Sequence, residues 1–131
     1  MRVQMFSSLG ALRVGMDILY DDEKVPVKSM TGAGGYFKTE AGLKYMACAM
    51  KTPVSAMETA GEGGPWGMAI LAAYATDAQK KSLSDYLNKN VFADCKKETS
   101  QPDGKISKSF EVFYERYKKG LAVEKAAVEN L

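Results

Sequence analysis

The sequence predicts an α/β domain: two parallel β-α units, helices on both faces of their sheet, and a long carboxyl-terminal helix. Three observations carry this reading. Helical and strand-like segments alternate from the amino terminus, a glycine cluster follows each strand-like segment, and an aromatic stripe recurs at helical spacing near the end.

Met5, Leu9, Leu12, Met16 and Leu19 recur at intervals of four and three, so they share one stripe of a helix running to about Tyr20. The acidic Asp21-Asp22-Glu23 cluster and Pro26 end it. No capping box precedes the stripe, although Ser7 or Ser8 would cap a shorter helix, and an opening helix without its entrance points to a chain cut from something larger. Residues 27–31 carry Val and Thr and run into glycines, which suits a first strand. Thr39 then caps a helix whose inner face holds Leu43, Met46, Ala47 and Met50, with Glu40 favourably placed in the first turn.

Residues 53–57 form the second strand, followed by a glycine-rich stretch at 58–64. Pro65 suits the first turn of an Ala-rich helix ending near Ala75, apolar nearly all round and expected to be buried on several sides. Two strands are too few for a sheet. The expectation is that strands outside this chain, or another copy of it, complete the sheet. Ser82 with Asp85 resembles the cap of a short helix through about Asn88, and residues 96–105 read as a polar turn region. Phe110, Phe113, Tyr114, Tyr117 and Leu121 line the final helix.

At 131 residues the chain has room for one domain, and 46% hydrophobic with 26% charged residues is near the globular average. A formal charge of +2 is too small and too evenly spread to mark a nucleic-acid binder. The longest apolar run, 66–75, is about half of the roughly 20 residues a membrane span needs, and no charged-then-apolar leader opens the chain. Cytoplasmic location and no membrane partner are the expectation. Cys48 and Cys95 lack metal or redox spacing and read as reduced thiols, one of them packed in a helix. The chain contains no histidine, which excludes Ser-His-Asp and Cys-His nucleophiles and imidazole zinc sites.

The loop at 31–38, Thr-Gly-Ala-Gly-Gly-Tyr-Phe-Lys, sits where backbone N–H groups approach a phosphate or a purine edge. It matches neither the Rossmann nor the Walker spacing. One such loop is more often a plain turn. A second, at 58–67, also follows a strand and opens a helix, so both belong at the carboxyl ends of neighbouring parallel strands, where open α/β sheets bind ligands. In that second loop, Gly67 reads as a close helix-packing position and Trp66 as core.

The residues from Met16 to Ala75, with Gly-Ala-Gly-Gly-Tyr-Phe-Lys-Thr followed by Glu-Thr-Ala-Gly-Glu-Gly-Gly-Pro-Trp-Gly-Met-Ala-Ile-Leu-Ala-Ala, resemble the carboxyl-terminal half of FGGY-family carbohydrate kinases, especially the xylulokinase and ribulokinase branch. Segments 83–92, 101–103 and 114–121 resemble the family's closing segment, so the likeness covers residues 1–131. It implies part of an actin-like (ribonuclease H-like) ATPase domain, a fragment of an enzyme that closes two domains over ATP, Mg²⁺ and a sugar. The parent enzyme is expected to transfer the γ-phosphate of ATP to a pentulose such as xylulose or ribulose. This chain would supply the adenosine side of the cleft.

By the same resemblance Gly34 and Gly35 lie beside the nucleotide, with Lys38 and Thr39 near adenine or ribose, and Tyr36 replaces the commoner third glycine. Gly61, Gly63 and Gly64 are architectural. The family takes its catalytic Asp, first phosphate loop and most sugar contacts from an amino-terminal domain missing here, so no catalytic and no metal-binding residue is assigned and the chain alone is expected to be inactive. Glu62 reads as a partner for the helix start, and the Lys80-Lys81, Lys96-Lys97 and Lys118-Lys119 pairs as solvated faces. Strands and a first helix that lose neighbours imply self-association. The alternative is a non-catalytic protein-interaction module built on the ATPase half-fold.

Overall fold

A computed structural model describes residues 2–77 and 82–131. Helix α1 (Arg2–Asp17) runs on as a wider π-helical turn, Ile18–Asp22. Phe6, Leu9 and Met16 of the predicted stripe region are buried, whereas Leu12 and Leu19 are exposed and Arg13 is buried in their place. Ser7 and Ser8 lie inside the helix, with Ser8 Oγ donating to the Met5 carbonyl, so neither is its cap.

Strand β1 (Met30–Gly32) is shorter and later than expected, because Met30 N–H enters the ladder only where it meets the Pro53 carbonyl. Helix α2 (Glu40–Met50) begins at Thr39, whose side-chain oxygen accepts from Gly42 N–H at 3.2 Å. It ends at Lys51, which adopts the left-handed conformation that closes many helices (φ +52°). Strand β2 (Val54–Met57) pairs parallel with β1, Met30 opposite Val54 and Gly32 opposite Ala56. Helix α3 (Gly63–Asp77) follows a 3₁₀ turn at Ala60–Glu62.

Ser82 caps the short helix α4 (Leu83–Tyr86) as predicted, accepting from Asp85 N–H at 3.1 Å and donating to the Asp85 carboxylate at 2.7 Å. The Lys80-Lys81 pair falls outside the described residues. Two expectations are then overturned. Within the segment read as a turn lies a third strand, β3 (Lys97–Ser100), antiparallel to β2 with Val54 opposite Ser100 and Met57 opposite Lys97. The sheet order is β1-β2-β3, so the described sheet has three strands where two were expected. Helix α5 (Gly104–Glu129) starts at Asp103, whose carboxylate accepts from the N–H groups of Lys105 and Ile106.

The core lies between α1, α2, α5 and β2, with Phe6, Leu43, Met50, Val54, Phe110 and Tyr114 among its buried members. Phe6 meets Phe110 edge-on at 5.2 Å, and Tyr114 stacks on Phe110 at 5.8 Å. Helix α2 packs against β2 and β3, and α1 and α5 pack on α2, which makes one helical layer. The expected second layer is only partly made. Helix α3 carries exposed Trp66, Met68 and Leu71 with Ile70 buried, and an apolar gap of about 170 Å³ separates Trp66 and Ile70 from the strand ends at Thr31, Gly32 and Met57. The expected burial of α3 on several sides is therefore wrong: an apolar sequence fixes what a helix tolerates around it, and here little of the chain packs there.

Candidate functional site

Because β1 and β2 are parallel neighbours, the loops that leave them emerge at the same end of the sheet. The two glycine loops meet there. Gly34 N–H donates to the Ala60 carbonyl at 2.6 Å, and Lys38 Nζ pairs with Glu62 Oε1 at 2.6 Å, so each loop fastens the other by one backbone and one side-chain contact. Gly34 has φ +107°, a conformation that side chains disfavour, which accounts for glycine at that turn. Close approach accounts for another: a Cβ on Gly63 would lie 2.9 Å from the Cβ of Ala33, so the second loop seats directly on the first.

Between the loops and the sheet end lies a crevice of about 800 Å³, within the range of small-molecule sites. Its floor is Ala56 and Met57 of β2, Phe37 and Trp66 contribute aromatic rings, and Lys96, Lys97 and Glu98 border it from β3 and the residue before it. Glu58 N–H holds the Lys96 carbonyl at 3.2 Å, which ties the second loop to this border. Hydrogen bonding and charge from Lys38 hold the Glu62 carboxyl below its ordinary range. Both partners are solvent-exposed, which makes the latch a positioning contact of small energetic weight.

Of the four residues expected beside a nucleotide, only Lys38 is among the residues that line this crevice; Gly34, Gly35 and Thr39 are not. Gly34 spends its N–H on Ala60, Thr39 spends its side-chain oxygen on the α2 cap, and Gly35 borders open space where a Cβ would meet nothing within 4 Å. Tyr36 turns its half-buried ring toward the core and meets Phe37 edge-on at 5.6 Å. Glu62 is paired with Lys38 rather than with a helix terminus, and Gly67 has nothing near its missing side chain, so it is not a close-packing glycine. Trp66 is 42% exposed, not core. It lines the site. Sequence reasoning missed Lys96 and Lys97 as well, because it read their segment as a turn.

Both cysteines are free thiols, Cys48 buried within α2. Among the described residues no group of three or more Cys, Asp or Glu side chains is placed to hold a metal ion, and no helix is long and apolar enough to cross a membrane.

An open α/β sheet with two interlocked glycine loops at the carboxyl ends of parallel strands defines a class of ligand-binding domain. The particular family is carried by sequence: the chain matches the FGGY family of carbohydrate kinases, C-terminal domain, over residues 1–76, and it belongs to that family. The matched span covers α1 through nearly all of α3, including both loops. No curated protein and no solved structure matches the chain. Membership implies the actin-like, ribonuclease H-like kinase fold, of which these residues form a mixed, mostly helical α/β part.

Proposed function

We propose that this chain forms the adenosine side of the nucleotide cleft in an ATP-dependent sugar kinase, with a pentulose such as xylulose or ribulose as phosphate acceptor. The observation that carries the reading is the joining of the two glycine loops, Gly34 N–H to the Ala60 carbonyl, at one end of a parallel strand pair in a chain of this family. Phosphoryl transfer needs an in-line hydroxyl, a group that orients it, and charge on the transferring phosphate. The crevice residues are assigned none of these parts. Their part is to bind and orient the nucleotide and to keep water from one face of it, while the acceptor sugar and its orienting carboxylate belong to the amino-terminal domain of family enzymes. Mg²⁺ reaches such a cleft on the nucleotide phosphates, as is usual for that ion.

The test is calorimetry of Mg²⁺-ATP with the wild-type chain and with Gly35→Asp. Because a side chain at Gly35 points into open space, that variant keeps its melting temperature. Its affinity falls about tenfold or more, which corresponds to roughly 1.4 kcal/mol. Absence of binding to the wild type at millimolar nucleotide overturns the reading.

A further inference from the structure

Trp66 is the only tryptophan of the chain, and it stands in an unusual setting. It follows Pro65 in the first turn of α3, which fixes where its backbone lies, and its side chain borders both the 800 Å³ crevice and the smaller apolar gap behind it. Among the described residues its indole has no ring partner and no side-chain hydrogen bond, and 42% of the residue is exposed. Phe37, on the other loop, borders the same crevice and is held from behind by Gly32, whose absent side chain leaves room for the ring. The latch Lys38–Glu62 joins the two loops that carry these rings.

An unpartnered indole on the wall of a nucleotide-sized crevice is a stacking surface. Charge does not select the ligand here, since Lys96 and Lys97 are offset by Glu58 and Glu98 around the same crevice, and Lys38 is neutralised by Glu62. The aromatic wall is what remains to choose it. Flat heterocycles gain from such a wall whatever their sequence of polar edges, because every nucleobase has a π-face.

We infer that Trp66, assisted by Phe37, is the base-stacking residue of this site, so that the purine ring of the nucleotide lies against the first turn of α3 rather than against the Gly34–Gly35 backbone alone. The inference rests on the nucleotide reading above and goes beyond it by naming the residue and the part of the ligand it holds.

The experiment follows the emission of Trp66 in the intact chain during titration with Mg²⁺-ATP, with adenosine, and with inorganic triphosphate, alongside calorimetry of the same ligands. Stacking predicts a saturable change with Mg²⁺-ATP and with adenosine and none with triphosphate. Trp66→Ala weakens Mg²⁺-ATP binding about tenfold or more, and Trp66→Tyr stays within about threefold of wild type, as expected for loss and retention of one aromatic face. Calorimetric binding of ATP with unchanged emission and an unaltered Trp66→Ala affinity overturns the stacking role while leaving the nucleotide site standing. No calorimetric binding of any nucleotide overturns both. Should Trp66→Ala lose its cooperative melt, the wild-type emission with adenosine decides by itself.

Discussion

Arg13 shows how one buried charge organises three helices. Its Nε donates to Asp17 at 2.6 Å, and Nη1 donates both to the Ala49 carbonyl at 2.6 Å and to Glu111 at 3.0 Å, so α1 is tied to the end of α2 and to α5. Tyr114 O–H completes the cluster on Asp17 at 2.7 Å, and Lys51 shares Glu111 at 3.0 Å. Replacing Arg13 with Met takes the guanidinium from the Ala49 carbonyl and from two carboxylates, leaving Asp17 with Tyr114 alone and Glu111 with Lys51 alone. The expected loss is about 3 kcal/mol, seen as a lower urea midpoint, since breaking one side of a buried pair costs more than the pair contributes. Burial alone would raise the Asp17 carboxyl, but the hydrogen bonds from Arg13 and Tyr114 outweigh it and hold the folded value below the unfolded 3.8. Its contribution is therefore complete above that value and is lost as pH falls through the lower folded one. Urea midpoints measured from about pH 5 down to 2 should decline in the wild type, and that part of the decline should vanish in Asp17→Asn. At the alkaline end burial and the bond to Asp17 raise the Tyr114 hydroxyl above its ordinary 10.0, so stability also falls once the unfolded chain begins to lose that proton.

At the scale of single elements the termini of α2 are set by two residues with separate jobs. Thr39 accepts from Gly42 N–H in an extended conformation (φ −127°, ψ 143°), and Lys51 closes the helix with a positive φ. Thr39→Ala is expected to cost about 1 kcal/mol and Thr39→Ser almost nothing, read from thermal melts, because only the first removes the capping oxygen. Caps of this kind were legible in the sequence: Thr39 and Ser82 announce their helices by residue type and spacing. Amphipathic α2 and the aromatic stripe of α5 were legible for the same reason, since their inner residues repeat at helical intervals. Strand β3 was not. Its residues Lys97, Glu98, Thr99 and Ser100 are all polar, three of them exposed, so no alternation betrays a strand, and only the partner β2 makes it one. Ser55 and Thr99 share a hydroxyl contact at 2.8 Å across that pair, which no local pattern encodes. Trp66, read as core, stays at the surface, and Arg13, to which no reading was attached, is drawn inside. Both follow from neighbours distant in sequence, and so does the border of the crevice that β3 supplies.

For the whole molecule, the question is how much chain the fold requires beyond the part the family match covers. Residues 1–76 contain both glycine loops, yet the core they build is closed by Phe110 and Tyr114, which are 0% and 2% exposed. Phe6 of α1 touches Tyr45, Phe110 and Phe113, so removing α5 strips two of its three ring partners at once. Past Lys119 the same helix contributes little: Leu121, Val123 and Val128 are exposed, and no residue there joins the core cluster. A shortened chain of residues 1–119 is therefore expected to melt within a few degrees of the full chain, whereas residues 1–103 should lose cooperative unfolding and bind a hydrophobic dye. Phe110→Ala in the intact chain should cost about 3–5 kcal/mol, the range for an aromatic side chain removed from a packed interior. Scanning calorimetry of these three proteins separates the possibilities. Cooperative melting of 1–103 would show that the chain through β3 folds without α5, and α5 would then be an appendage rather than a wall of the domain that holds the crevice.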